Sequence, residues 1–318
     1  MKDKSAINLR KSMSRGSVEH KSKVREHDGD IMTLAKREVI SVPPTTSIKE
    51  AAEKMVNHKF RRLPVADPGS DKLLGIVTAT DILNFLGGGE KFNIMEEKHE
   101  DNFLAAINEP IRQIMTKDVN FMTHKDSIVE CVERMIDYNV GALPIVDNDN
   151  NRKLMGIITE RDFALAMAGV LTDEIVEDFM TKKVITTTPG TPIEGSSKIM
   201  FRNRLRRIPV IGKEEKTKQS KEKLVGIITS SDLLKFFGDS KLFTKMESNS
   251  GLDILNTKIS EIMEKEVFTV EPLTRLGDLC ELLNEKNIGG VPVVKNNEVL
   301  GIITESDVLK AIKTSNNW

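Results

Sequence analysis

The chain has 318 residues, of which 39% are hydrophobic, and this is enough for the cores of about two domains. Its net charge of −1 provides no general attraction for nucleic acid or for a membrane surface. No apolar run approaches the roughly 18 residues that a membrane span needs, so we expect a cytoplasmic protein. The two cysteines, Cys131 and Cys280, exclude a disulfide scaffold and are predicted to be core thiols.

The N-terminal segment, residues 1–30, is polar and mixed in charge, and we predict that it is a flexible tail. The rest of the chain repeats one pattern four times: strand, helix, strand with proline, strand, helix. In the first copy, Val39–Val42 is the predicted opening strand and Leu63–Val65 is the strand marked by proline. Ser47 and Glu50 predict a capping box at the start of the helix that connects these two strands and ends at about Asn57.

The other three copies carry a related helix start. A capping box is predicted in the second and third copies and is broken in the fourth, where glycine replaces the acid: Ser127 with Glu130, Thr191 with Glu194, and Thr274 with Gly277. Pro192 is expected at the first helical position of the third copy, where a missing N–H costs no helical hydrogen bond.

Each copy ends in a seven-residue motif with glycine, threonine and aspartate at fixed spacing. The four motifs are Gly75–Asp81, Gly156–Asp162, Gly226–Asp232 and Gly301–Asp307. The β-branched residues after the glycine predict a buried strand, and the threonine can cap the helix that follows, with aspartate at the third helical position. This interpretation explains the constant aspartate less well, because glutamate or glutamine usually reaches back across that turn.

A binding role for the motif is the second interpretation. A strand that ends at a helix N-terminus offers N–H groups and a positive dipole end, where phosphate binds well. A short carboxylate fixed beside it can accept hydrogen bonds from two ribose hydroxyls. The sequence alone leaves both interpretations, cap and ligand site, open.

The spacing of the copies predicts how they group. Polar segments follow the first copy (Gly87–Pro110) and the third (Gly238–Asn256), whereas the join between the second and third is short. We therefore predict two tandem pairs, residues 31–170 and residues 171–318. Their copies span about 31–87 and 110–170 in the first pair, and about 174–238 and 257–314 in the second.

This pattern resembles the cystathionine β-synthase (CBS) domain, a regulatory module usually found in pairs. Four copies in one chain resemble archaeal relatives of the γ subunit of AMP-activated protein kinase, over about residues 31–313. The four Gly-x-x-Thr-x-x-Asp motifs carry the resemblance, with the segments Asn84–Gly89 and Glu97–Pro110. It implies an α/β fold of α+β repeats, in which two CBS-pair (Bateman) modules pack into a disc and hold adenine nucleotides in clefts between paired repeats.

The resemblance also assigns residues. Ribose is expected at the motif aspartates: Asp81, Asp162, Asp232 and Asp307. Phosphate is expected at the motif threonines: Thr78, Thr159, Thr229 and Thr304. The residues before the aspartates are expected to make further nucleotide contacts: Thr80, Arg161, Ser231 and Ser306.

A basic doublet precedes the proline strand in the odd copies only. Arg61-Arg62 and Arg206-Arg207 occupy this position, whereas the even copies have Gly141-Ala142 and Gly289-Gly290. One alternative is a solvated basic face, the usual meaning of a charge run. We favour phosphate contact through the guanidinium groups, because both doublets stand at one position beside the expected cleft. The small pairs leave room for a nucleobase or ribose.

Catalysis, metal binding and nucleic-acid binding have little support. The five histidines are scattered without metal-ligand spacing, and no nucleophile recurs with a base and an orienting group. A single tyrosine and a single tryptophan provide no stacking platform for nucleic acid. We expect no enzyme activity, no cofactor and no metal.

The favoured function is a non-catalytic sensor of AMP, ADP or ATP that signals to a regulated partner protein, such as a kinase or another enzyme. The alternative is a sensor of another adenosyl ligand, S-adenosylmethionine or methylthioadenosine. The arginine doublets distinguish them, because a phosphate tail needs cations and a thioether or sulfonium does not. Homodimerisation stays open.

Overall fold

The computed structural model describes residues 29–86, 89, 91, 98–99, 103–171, 173–213, 222–238 and 255–314. The predicted tail, except for its last two residues, lies outside these ranges.

The chain divides into two compact units. Unit 1 comprises the described residues within 1–39, 120–184 and 268–318, and unit 2 comprises those within 40–119 and 185–267. Unit 1 therefore contains the second and fourth repeats, and unit 2 contains the first and third.

Each repeat contains a helix, two antiparallel strands and a second helix, as the α/β fold class predicts. The first repeat has α1 (Ile48–Asn57), β1 (Arg62–Ala66), β2 (Leu73–Thr78) and α2 (Ala79–Leu86), followed by α3 (Phe103–Ile107). The second has β3 (Met122–Thr123), α4 (Ile128–Asp137), β4 (Ala142–Val146), β5 (Leu154–Thr159) and α5 (Glu160–Ala166), followed by α6 (Val176–Phe179). The third has α7 (Ile193–Arg202), β6 (Arg207–Lys213), β7 (Glu222–Thr229) and α8 (Ser230–Gly238). The fourth has α9 (Leu276–Glu285), β8 (Gly290–Lys295), β9 (Glu298–Thr304) and α10 (Glu305–Thr314).

The compact units join alternate repeats, whereas the spacing of the chain predicts modules of consecutive repeats, residues 31–170 and 171–318. Spacing reports how much chain connects two repeats and contains no information about which helices pack together. The consecutive modules and their disc remain predictions.

The helices within a unit pack reciprocally. In unit 2, α1 packs on α8, α2 packs on α7, and α2 also packs on α8. Unit 1 shows the same scheme with α4 on α10, α9 on α5, and α5 on α10. Contacts that are exchanged in this way are those of a pseudo-two-fold relation between the two repeats of a unit.

Each unit has its own apolar core. Fully buried residues such as Met55 and Phe85 lie in the core of unit 2, and Phe163 lies in that of unit 1. Cys131 and Cys280 are free and buried in unit 1, as predicted for core thiols. Burial raises the pKa of each thiol to about 12, so both stay protonated and unreactive at neutral pH.

The prediction of a four-residue opening strand at Val39–Val42 is wrong, because a single residue of this segment forms a β-bridge. Only Val42 forms a bridge, parallel to Val65, and the third and fourth repeats have equivalent single bridges. The second repeat alone extends the bridge to the two-residue strand β3, which runs parallel to β4. In the first repeat Pro43 and Pro44 follow at once, and proline cannot donate the next ladder hydrogen bond.

The capping box predicted in the second repeat forms completely, and the first repeat shows one of the two hydrogen bonds of its predicted box. The Ser47 hydroxyl accepts a hydrogen bond of 3.1 Å from the Glu50 N–H, and Ser127 and Glu130 form the complete box. In the fourth repeat, where the box is broken in sequence, α9 begins after Arg275 with no side-chain cap.

The capping box predicted in the third repeat is wrong. Helix α7 begins at Ile193, so Pro192 is the cap residue instead of the first helical residue. This places Thr191 one residue too early to cap the helix. Its hydroxyl instead lies 2.7 Å from the hydroxyl of Thr187.

Each motif strand is completed by a segment that leads into a different repeat. The bridges join Lys36 to Ile157, Thr116 to Ile76, Thr181 to Ile302, and Glu264 to Ile227. Each bridge has two backbone hydrogen bonds of 2.9–3.0 Å. The incoming carbonyl passes so close to the motif glycine that a Cβ at Gly75 would lie 2.8 Å from the oxygen of Thr116. The motif therefore requires glycine for steric reasons.

We predict that Gly75→Ala lowers the free energy of unfolding by about 1–3 kcal/mol, because the new methyl group overlaps backbone that is fixed by two hydrogen bonds. The measurement is the denaturant midpoint. Gly190→Ala is the control, since a Cβ there meets no atom within 4 Å. Equal effects of the two substitutions would contradict the steric explanation.

Candidate functional site

The motif threonine and aspartate form the same hydrogen-bonded cap in all four repeats. The threonine N–H donates to the aspartate Oδ2 at 2.8, 2.8, 2.9 and 3.0 Å in repeats one to four. The threonine hydroxyl donates to the same oxygen at 2.7–2.8 Å. The capping interpretation of the motif is therefore confirmed, with aspartate at the position where glutamate is usual.

The second carboxylate oxygen faces a lysine in every repeat. The Oδ1 atoms of Asp81, Asp162, Asp232 and Asp307 lie 2.6, 3.4, 4.0 and 2.8 Å from the Nζ atoms of Lys91, Lys36, Lys235 and Lys310. Lys91 also donates to the carbonyl oxygen of Ile114. The Oδ2 atom of each aspartate thus accepts the hydrogen bonds of the cap. A ribose diol that binds Oδ1 would have to share this oxygen with the lysine or displace the lysine.

Asp232 is the aspartate with the weakest lysine contact, and its environment is unfavourable to charge. Burial raises the pKa of Asp232 above its ordinary value, and the hydrogen bonds from Thr229 oppose this shift. Lys235 also lowers the pKa, whereas Glu264 raises it. Ionisation of the Asp232 carboxyl group is therefore less favourable in the folded protein than in water.

Strand register places the arginine doublets beside the caps. Arg62 pairs across the hairpin with Thr78, and Arg207 pairs with Thr229. Directly opposed residues in an antiparallel pair have Cβ atoms about 4.5–5.5 Å apart. Arg62 and Arg207 therefore lie next to the motif threonines of the first and third repeats, and both doublets lie in unit 2.

The backbone ties each doublet to the start of the following helix. The carbonyl of Arg61 accepts a 2.8 Å hydrogen bond from the N–H of Ala79, and that of Arg206 accepts a 2.9 Å bond from Ser230. In unit 1, Gly141 and Gly289 accept the corresponding bonds at 3.3 and 3.2 Å from Glu160 and Glu305.

Arg161, an expected nucleotide contact, makes a structural contact. Its Nε donates to the Oε1 of Glu305 at 2.8 Å, and its guanidinium also donates to the side-chain oxygen of Asn287. The pair joins the second repeat to the fourth within unit 1. Thr80, Ser231 and Ser306 stand at the same motif position, and their predicted nucleotide contacts remain predictions.

Sequence reasoning missed two buried acids. Glu160 and Glu305 occupy the first helical position of the even repeats, where they are 4% and 2% exposed. The odd repeats have Ala79 and Ser230 at this position. The signal was present inside the motif, because the residue after the motif threonine is acidic in alternate copies only.

Within the described ranges, no group of three or more histidine, cysteine, aspartate or glutamate side chains is placed to hold a metal ion. No helix in this part of the chain has the length and apolar character needed to cross a membrane.

Comparison with known proteins identifies the repeats. The family model for the CBS domain matches residues 29–88, 111–169, 176–239 and 259–314, and the chain belongs to this family. Protein MJ1225 of Methanocaldococcus jannaschii is 40% identical over 283 residues, which are 88% of this chain and 98% of that protein. A protein of Thermofilum pendens is 26% identical over 268 residues, which cover 84% of this chain and 86% of that protein.

Solved structures agree with this assignment. The crystal structure of MJ1225, described as a candidate archaeal homologue of γ-AMPK, matches with a TM-score of 0.82 over 89% of this chain and 99% of that one. A Pyrococcus horikoshii protein has the same fold at 18% identity, with a TM-score of 0.55 over 88% of this chain and 97% of that one. The resemblance inferred from the motifs is confirmed.

We predict that Asp232→Asn raises the melting temperature at pH 7. Because the folded-state pKa is raised, the penalty for charging Asp232 is absent below its ordinary value of 3.8 and fully present once the pH exceeds the raised pKa. The gain should therefore disappear near pH 3. Asp81→Asn is the control, because it breaks a 2.6 Å ion pair with Lys91 and should give no gain at pH 7. Equal gains from both substitutions would refute the burial argument.

Proposed function

We propose that this protein is a non-catalytic regulatory sensor that binds AMP, ADP or ATP and signals to a partner protein. The observation that carries the proposal is the strand register in unit 2, which sets Arg62 opposite Thr78 and Arg207 opposite Thr229. Each pair lies where a strand runs directly into a helix, α2 of eight residues or α8 of nine. Cations, a hydroxyl and a helix N-terminus thus meet at one place.

Phosphate is the ligand group that uses all three features. The positive end of a helix favours an anion, and a planar guanidinium can donate two parallel hydrogen bonds to phosphate oxygens. Both doublets belong to the same compact unit, so each of its two repeats offers guanidinium groups beside its own cap. A solvated basic face has no reason to recur beside both caps.

Ribose recognition is proposed for the outer oxygen of the motif aspartates. The cap uses only Oδ2, so Oδ1 can accept from a ribose diol if the neighbouring lysine moves or shares the contact. A lysine released in this way would stay close enough to meet phosphate. The description of MJ1225 as a candidate γ-AMPK homologue supports an energy-sensing role and a kinase or other enzyme as the partner.

The first test removes the guanidinium groups. We expect that changing Arg61, Arg62, Arg206 and Arg207 to Gln weakens ATP and ADP more than AMP, and leaves adenosine almost unchanged. Each lost charge-assisted contact is worth about 1.5–3 kcal/mol, or roughly tenfold to a hundredfold in affinity. The measurement is calorimetric titration with the four ligands and S-adenosylmethionine.

A control for the loss of two adjacent cations, as in one doublet, is the exposed pair Lys182 and Lys183. Changing both to Gln removes adjacent cations from the surface and should leave every affinity unchanged. Equal losses for all ligands in the arginine variant, or tighter native binding of S-adenosylmethionine than of any nucleotide, would replace the nucleotide sensor with the adenosyl-ligand alternative.

The second test separates the cap from ribose binding. Replacing a motif aspartate by Ala should cost about 1 kcal/mol of stability, because the copy loses its cap. The cost should be smaller at Asp232, where the substitution also removes a carboxylate whose charge is disfavoured by burial. Only copies that bind ribose should also lose roughly tenfold to a hundredfold in nucleotide affinity. Thermal melting beside calorimetry measures both effects. Unchanged binding in all four variants would remove the ribose assignment.

A further inference from the structure

The two units differ in the residue at the start of the helix that follows the motif. In unit 1, Glu160 and Glu305 are 4% and 2% exposed at the first helical position. In unit 2, Ala79 and Ser230 are equally buried there, at 3% and 2%. The same buried position therefore carries a carboxylate in both repeats of one unit and a small neutral side chain in both repeats of the other.

The contacts of Arg161 show what lies around this position. Its guanidinium, from the second repeat, meets both Glu305 and Asn287 of the fourth repeat. Asn287 has a positive φ of 53° just beyond the end of α9. The start of the second helix and the end of the first helix in one repeat thus lie within reach of a single side chain from the other repeat.

The corresponding positions in unit 2 are basic. Lys59 and Arg204, both at φ 55°, occupy the place beyond the first helix that Asn139 and Asn287 occupy in unit 1. The arginine doublets follow two residues later in unit 2, where unit 1 has glycine and alanine. Reciprocal helix packing in each unit brings the two repeats together in the same way, so these positions surround equivalent space.

We propose that Glu160 and Glu305 determine specificity, by excluding phosphate from unit 1 and so directing phosphate-bearing ligands to unit 2. The inference rests on the proposed function and names which sites accept the phosphate tail. A buried carboxylate at the first helical position occupies the positive end of the helix and repels a second anion. Glu305 also pairs with Arg161, so this guanidinium is engaged by a carboxylate and is less available to a phosphate.

The exclusion can be removed by giving unit 1 the residues of unit 2. In Glu160→Ala/Glu305→Ser, the helix starts lose both carboxylates, and Arg161 loses its acidic partner. We expect at least one additional bound ATP by native mass spectrometry. To place the gain in unit 1, the same change is made in the variant with Gln at Arg61, Arg62, Arg206 and Arg207, where it should restore ATP binding.

The reverse exchange adds the carboxylates to unit 2. We expect Ala79→Glu/Ser230→Glu to weaken ATP about tenfold or more, which corresponds to a loss of at least about 1.4 kcal/mol. Adenosine, which has no phosphate, should bind as before. This ligand pair separates exclusion of phosphate from general damage to the site.

Two controls address net charge and folding. Glu133→Ala/Glu177→Ala removes two exposed carboxylates from unit 1, so it changes the net charge equally and should gain no ATP. Glu160→Gln/Glu305→Gln keeps the shape of the buried side chains without their charge, and it should gain ATP even if the smaller substitutions disturb the fold. Melting curves show which variants are folded.

The outcomes separate the two proposals. If the native protein binds ATP equally in both units, the exclusion is refuted and the sensor function stands. The exclusion is also refuted if neither the Ala/Ser nor the Gln variant gains ATP while the native protein binds it in unit 2. If the native protein binds adenosine ligands but no nucleotide more tightly than adenosine, both proposals fail.

Discussion

The cap between the motif threonine and aspartate is the interaction on which each repeat depends. One carboxylate oxygen accepts from both the N–H and the hydroxyl of a residue three positions earlier. These two bonds fix the last residue of a strand against the first turn of a helix. The hairpin, the helix and the backbone bond between them are therefore held at one junction, and every candidate ligand group lies at this junction.

This dependence explains why the cap and a ligand site can coexist. A glutamate would use its longer side chain to close the same turn, but its second oxygen would point elsewhere. The shorter aspartate holds its second oxygen in a fixed place beside the helix start. At Asp232 the carboxylate is kept although burial disfavours its charge, and a residue selected for capping alone need not have this cost.

The sequence contained enough information for the fold class and for the threonine–aspartate caps of the motif, because these depend on residues three or four positions apart. The steric need for the motif glycine was not readable in this way, because at Gly75 it depends on the distant carbonyl of Thr116. The sequence also did not contain the grouping of repeats by compact unit, because the pairing of α1 with α8 or of α4 with α10 depends on contacts far apart in the chain. Pro192 shows the limit at short range, since a one-residue shift of the helix start removed a predicted cap. The sequence shows that Glu160 and Glu305 are acidic, but it does not show that both side chains are buried, and their burial is what distinguishes them from ordinary surface acids.

The lead-in segments impose an order on assembly. The outer edge of the strand at Ile76 has its backbone N–H and carbonyl open until Thr116, forty residues later, arrives to pair with them. The first repeat is thus incomplete as an isolated piece of chain, and so is the third until Glu264 has been added. During synthesis the edge of each of these hairpins stays unpaired until the later segment has been made. An unpaired strand edge can form β-sheet hydrogen bonds with another chain and so lead to aggregation. A protein cut cleanly into single repeats would expose such an edge on every fragment.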